Sequence, residues 1–215
     1  MTTGKWSLSV ELQQIAMVGS LREATIVLGI VPAAAGQFRI AESEWYDAGP
    51  DVQALDFDVF CDGSPAGIYV VKASTSAADR PAHVVDEWNM RRDAVSLAGV
   101  EVPRLIGVGR GLLIEERIPY SFPEALSVAG RRSELIRAFG TAVRRLVHFG
   151  FRPLSCASWR SRGTDVVVAD FANELGAPAI RHDSPESYIE TLLVSHLDLI
   201  ASDEERGLLF ASAEI

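Results

Sequence analysis

Residues Leu55 to Lys72 carry the pattern that most limits what this chain can fold into. Leu55, Phe57 and Val59 alternate with Asp56, Asp58 and Phe60, the period of two that a strand with one dry and one wet face requires. Asp62-Gly63-Ser64-Pro65-Ala66-Gly67 is turn chemistry. Ile68-Tyr69-Val70-Val71-Lys72 is an apolar β-type run that closes on a lysine. Strand, turn and strand in this order predict an antiparallel hairpin, with Lys72 on the same face as Ile68 and Val70.

The chain has 215 residues, enough for one large domain or two small lobes sharing a core. Hydrophobic residues make up 48% and charged residues 23%, the balance of an ordinary globular protein. The net charge of −9 argues against a nucleic-acid binder, which needs an excess of Lys and Arg on one face. Cys61 and Cys156 form neither a disulfide framework nor a zinc-ligand spacing. The N-terminus lacks a basic start followed by an apolar core, so no signal peptide is expected. The most apolar stretch, Ala24 to Gly36, contains Gly29 and Pro32 and is too short to span a bilayer. The expectation is a cytoplasmic protein that engages neither membrane nor nucleic acid.

Around the hairpin the pattern alternates between helix and strand. Leu8, Leu12, Ile15 and Val18 have helical spacing within Ser7 to Ser20. Thr25 to Val31 is β-branched and reads as a strand, Ala33 to Gly36 as a break, and Phe38 to Tyr46 as a strand. Ser76 to Leu97 reads as a loop and then a helix with Val84, Trp88, Arg91 and Val95 on one stripe, stopped by Gly99. Leu105 to Val108 and Leu112 to Ile118 read as strands joined by Gly109-Arg110-Gly111. Glu134 to Phe149 is an amphipathic helix with Leu135, Ala138, Phe139, Ala142, Leu146 and Phe149 on its apolar side. Two short strands flank Arg162-Gly163-Thr164-Asp165, and Tyr188 to Ile200 and Glu204 to Phe210 read as helices.

Four of these segments, taken in order, resemble the protein-kinase-like fold, in its aminoglycoside and choline phosphotransferase variant. They are the strand ending at Lys72, the helix carrying Glu87, the run Leu112-Leu113-Ile114-Glu115-Glu116-Arg117-Ile118-Pro119, and Val166-Val167-Val168-Ala169-Asp170-Phe171-Ala172. The resemblance covers roughly residues 54 to 176, and each motif is short. It implies an α+β, two-lobed fold: an antiparallel N-lobe sheet with one helix over residues 1–118, including an N-terminal extension 1–36, and a truncated helical C-lobe over 119–215. It implies that Lys72 meets the phosphates of ATP as a point charge on a long stem. A lysine at a strand end can also simply snorkel to water. Glu87 would orient Lys72, with Asp86 as the adjacent rival. Glu116 to Ile118 would hold adenine through backbone groups, and Asp170 would bind Mg²⁺ through hard carboxylate oxygen. Glu115 would then occupy the position beside the adenine. Because a buried carboxylate costs several kcal/mol unless paired, either Glu115 points outward or the adenine pocket is altered.

The loop that should carry the acceptor-side chemistry reads Phe151-Arg152-Pro153-Leu154-Ser155-Cys156-Ala157-Ser158-Trp159. The resemblance requires a carboxylate there to orient the acceptor hydroxyl and an amide as second metal ligand; neither is present, and Arg152 cannot act as a base. The segment Asp47-Ala48-Gly49-Pro50-Asp51 has one glycine, and Pro50 lacks the N–H that would cradle a phosphate. His182-Asp183 and Ser195-His196-x-Asp198 have no catalytic spacing. Arg131, Arg132, Arg137, Arg144 and Arg145 form a basic helix face, which is by default solvated. The sequence therefore predicts a degenerate, pseudokinase-like protein that binds a protein partner, with ATP and Mg²⁺ either lost or kept as structural ligands. The alternative is a divergent ATP-dependent phosphotransferase in which Asp165 or Asp183 replaces the missing base. A third reading is an unrelated α+β binding domain.

Overall fold

The computed structural model describes residues 7–49, 52–75, 81–109, 111–128, 130–151, 158–169, 189–190, 199–200 and 202–213. The chain is α+β, with antiparallel sheets, and divides into two compact units. One comprises Met1–Asp86 and Arg104–Arg117; the other comprises Glu87–Pro103 and Ile118–Ile215.

The first unit is built on the predicted hairpin. Strands β3 (Val52–Cys61) and β4 (Ser64–Ser74) pair antiparallel, with Phe57 opposite Tyr69 and Leu55 opposite Val71. The turn is narrower than the turn chemistry suggested. Asp62 and Gly63, at φ 49° and 79°, form a two-residue connection of the mirror-image type that matches strand twist. Strand β4 runs two residues past Lys72. The sheet order is β1-β3-β4-β6-β5, with β1 at Phe38–Glu42, β5 at Leu105–Gly109 and β6 at Leu112–Glu116; β2 (Tyr46–Gly49) also pairs with β3. The expected single strand from Phe38 to Tyr46 is thus two, both laid along β3.

One face of this sheet is dry. Leu55, Phe57, Val59, Tyr69, Val71, Leu112 and Ile114 join Leu8, Leu12, Ala24 and Ile30 in one buried cluster. The N-terminal helices α1 (Leu8–Ala16) and α2 (Leu21–Val27) supply that cover. Helix α2 corrects the strand expected at Thr25 to Val31. The Ser20 hydroxyl accepts from the Glu23 N–H and caps the first turn, while Ala24 and Thr25 are buried. A cap and tertiary burial outweigh the weak strand preference of β-branched residues. Helix α1 lies close on β5: an added Cβ at Gly107 or Gly109 would meet Ile15 side-chain carbons at 2.9 Å. Asp62 fixes the end of this cover, its carboxylate accepting from the N–H groups of Gly36 at 3.3 Å and Gln37 at 2.8 Å. The Arg22 guanidinium donates to the Ala35 carbonyl.

The second unit packs helices on a small sheet. Helix α3 (Pro81–Leu97) begins in the first unit and ends in the second. It stops as predicted at Gly99 (φ 76°), with the Val100 N–H reaching back to the Val95 carbonyl. Strand β7 (Tyr120–Ser121) leads into α4 (Phe122–Ser127). There Ser121 and Glu124 form a reciprocal capping box, and the Ser121 hydroxyl and N–H hold the Glu124 carboxyl below its usual range. That contribution is present above the ordinary carboxylate pKa and is lost as pH falls through the depressed one. Helix α5 (Arg132–His148) buries Leu135, Phe139, Ala142 and Leu146 of the predicted apolar side and partly buries Ala138, whereas Phe149, just past the last turn, is exposed; Phe139 stacks on Phe122 and meets Trp159 edge-on at 4.8 Å. Strands β8 (Trp159–Arg162) and β9 (Asp165–Val168) form the predicted hairpin. The basic face of α5 is partly used internally. Arg132 binds Glu205 and the carbonyls of Leu126 and Leu199, and Arg145 binds the Gly99 carbonyl. No helix among the described residues is long and apolar enough to cross a membrane.

Helix α6 (Asp203–Ala213) crosses α5 at Gly140, where an added Cβ would meet the Leu209 carbonyl oxygen at 2.7 Å and Ser212 Cβ at 2.8 Å. Gly207, on α6, has nothing within 4 Å of such an atom. Gly207→Ala is therefore expected to stabilise by about 0.5–1 kcal/mol through helix propensity. Gly140→Ala is expected to destabilise by about 1–3 kcal/mol despite the same propensity gain, because the backbone of α6 must give way. Urea unfolding of the two variants checks the opposite signs.

Candidate functional site

The face of the first unit's sheet opposite the dry cluster collects its charges. Residues directly opposite in an antiparallel pair share a face. Val70 stands opposite Asp56 on β3 and Glu115 on β6, and Lys72 stands opposite Ala54 and Leu113. Asp56, Asp58, Lys72 and Glu115 therefore share the face of Val70. The Lys72 ammonium lies 2.6 Å from Glu115 Oε1, with the two side chains 13% and 1% exposed. They occupy diagonal positions on neighbouring strands, within reach of a long side chain. On the same face Arg117, held by its N–H to the Ile68 carbonyl at 3.0 Å, pairs with Asp56 at 3.0 Å. The Tyr46 hydroxyl also bonds Asp56 at 3.0 Å.

Glu115 therefore points into the sheet face and is buried, so the outward-pointing alternative does not hold. It also gives Lys72 a carboxylate partner from its own sheet. Glu87 belongs to the other unit, where it pairs with Arg91 one helical turn on and is 59% exposed. Glu116 lies on the dry face opposite Tyr69, and its N–H donates to the Arg104 carbonyl at 2.9 Å. Burial raises the Tyr69 hydroxyl pKa, and the nearby Arg104 guanidinium opposes that shift. Ile118, in the second unit, is 4% exposed. Asp170, the loop 152–157, Asp183 and the His196 segment lie outside the described residues; Asp165 opens β9 and is exposed.

The pairing of Lys72 with Glu115 was not read from the sequence, although its signal is there. Leu112-Leu113-Ile114-Glu115 places a carboxylate inside an apolar strand two residues before Arg117. A carboxylate in such a place requires a cation on a neighbouring strand. The kinase-like resemblance requires a carboxylate partner for Lys72, and here Glu115 supplies one. Among the described residues no group of three or more His, Cys, Asp or Glu side chains is placed to hold a metal ion.

No protein-family profile matches the chain, and no curated protein sequence matches it. Among solved structures, the chain is similar to WaaP in complex with acyl carrier protein, at 14% identity and a TM-score of 0.46, over 79% of this chain and 77% of that one. That overlap is too loose to carry an inference about activity or partner.

Removing one member of a buried pair takes a counter-charge from the other. Lys72→Met is expected to lower the unfolding free energy by about 3–5 kcal/mol, and Lys72→Met/Glu115→Leu to restore most of it. A double-mutant cycle in urea, followed by circular dichroism, measures both. A double variant no more stable than the single one would remove the ion pair as the reason for burying Glu115.

Proposed function

We propose that this chain is a degenerate kinase-like protein that works by binding a protein partner and not by transferring phosphoryl groups. The observation that carries this reading is the loop 151–159, which offers neither the carboxylate nor the amide that phosphoryl transfer in this fold uses; Lys72 itself keeps a carboxylate partner, Glu115 at 2.6 Å. The order of the elements supports the kinase-like part of the reading. A helix, α3, is inserted after the lysine strand β4, and the next two strands return to the sheet with β6 beside β4 and β5 at the edge. The sequence of the loop 151–159, without carboxylate or amide, supports the non-catalytic part, since phosphoryl transfer depends on positioned acceptor and metal ligands. Lys72, Glu87, Glu116, Ile118 and Asp170 are on this reading remnants of a nucleotide cleft. The net charge of −9 favours a partner with a basic surface over an anionic one.

The competing reading is a divergent ATP-dependent phosphotransferase. Incubation of the chain with γ-labelled ATP and Mg²⁺, alongside Asp170→Asn, separates the two. The expected result is phosphate release and autophosphorylation at the level of the protein-free blank for both proteins. Magnesium-dependent ATP consumption by the wild type that disappears in Asp170→Asn would replace this reading with the enzymatic one.

A further inference from the structure

We propose that the outer edge of β1 is a strand-addition site. Its occupant is an extended segment of a partner protein, apolar at alternate positions and with Lys or Arg at one end. The inference rests on the partner-binding part of the reading above and names the surface and the form of the partner. Strand β1 pairs with β3 in unbroken register, from Phe38 opposite Cys61 to Glu42 opposite Phe57, and has no second neighbour among the described residues. The bonds at its two ends fix which way its backbone groups face. The Asp62 N–H donates to the Gln37 carbonyl at 2.9 Å, and the Ser43 N–H donates to the Asp56 carbonyl at 2.8 Å. Gln37 and Ser43 therefore turn toward β3, and by alternation so do Arg39 and Ala41. Phe38, Ile40 and Glu42 turn the other way, each with one N–H donor and one carbonyl acceptor directed outward. None of these groups meets a hydrogen-bond partner among the described residues. An edge of this kind is a template for one more strand. The devices that blunt such edges are missing from it: β1 has no proline and no bulge. Its one cation, Arg39, lies over the Phe60 ring of β3 at 4.2 Å from the centroid, above the sheet and not across the edge.

Side chains and charge select the occupant. Phe38 and Ile40 pack, partly buried, against the dry cluster, so alternate residues of an added strand extend that cluster and are apolar. Past Arg39 the charge is of one sign: Ile40 to Val71 contains seven carboxylates and no Lys, Arg or His. Three of them, Glu42, Glu44 and Asp47, are exposed where β1 turns into β2, and none of the described ion pairs engages them. A basic end on the incoming segment complements this corner. A second copy of the chain fits less well. The strand it offers, its own β1, has one cation, already placed over a ring, and each chain carries a net charge of −9, which opposes self-association.

The test begins with a display library of random linear peptides selected on the full chain. Enriched peptides are synthesised and titrated by fluorescence anisotropy into wild type, Ile40→Pro and Glu42→Lys/Glu44→Lys. Proline at residue 40 removes an outward N–H and leaves the bonds to β3 in place; the double reversal alters exposed charges alone. Enriched peptides are expected to alternate apolar and polar residues, to end in Lys or Arg, and to bind each variant about tenfold more weakly than wild type. Bound peptide is expected to slow amide hydrogen exchange at Phe38, Ile40 and Glu42 far more than at Arg39 and Ala41, which already bond to β3. Peptides that bind both variants as tightly as wild type, or that protect other amides, would overturn the proposal, and so would a library that yields no binder. If circular dichroism shows that Ile40→Pro does not fold, Glu42→Pro, at the end of the strand, takes its place with the same expectation. A wild-type dimer in sedimentation that the proline variant abolishes would give the edge to a second copy and overturn the choice of occupant. The two readings fail separately. ATP turnover by the wild type would sink the non-catalytic reading and leave the edge site standing, whereas a failed selection without turnover would sink the edge site alone.

Discussion

The alternation of side chains along β3 and β4 is the constraint on which the first unit depends. It sorts Leu55, Phe57, Val59, Tyr69 and Val71 to one face, and that much apolar surface must be covered. Helices α1 and α2 provide the cover, seated where Gly107 and Gly109 leave room for Ile15. Because the period is two, the same sorting commits Asp56, Asp58 and Lys72 to the opposite face. The charges have no other side to go to. They satisfy one another there, Lys72 with Glu115 and Arg117 with Asp56.

An ammonium held in poorly solvated surroundings needs a counter-charge, and a phosphate or a carboxylate can supply it. Glu115 supplies one from an interior strand of the same sheet.

Much of the fold was legible because local signals and tertiary needs agreed. The β3–β4 hairpin followed from period and turn chemistry, the end of α3 from Gly99, the apolar side of α5 from its spacing, and β8–β9 from Gly163-Thr164. Helix α2 was misread because Thr25, Ile26 and Val27 favour a strand locally, while the Ser20 cap and burial against the sheet are what settle it. Of the candidate site, the face of Lys72 was legible from alternation alone. Its partner was not, because strand register sets it: Glu115 reaches Lys72 only when β6 lies beside β4 with Val70 opposite Glu115. No spacing along the chain between residues 72 and 115 encodes that. Asp170 and most of the acceptor-side loop lie outside the described residues, so the sequence alone speaks for them.

The chain passes between its two units at 86/87, at 103/104 and at 117/118. The excursion Glu87–Pro103 contributes Val95 and Val100 to the second core, and its Gly99 and Glu101 carbonyls accept from Arg145 and from the Val168 N–H. No single scission can therefore release either unit whole. A fragment ending at Arg117 would carry a helix and loop stripped of the core they belong to, and a fragment starting at Ile118 would lack part of its own interior. The threading of the backbone binds the fates of the two units together, so proteolytic nicking near residue 117 should yield two damaged pieces where a beads-on-a-string protein would yield two intact ones.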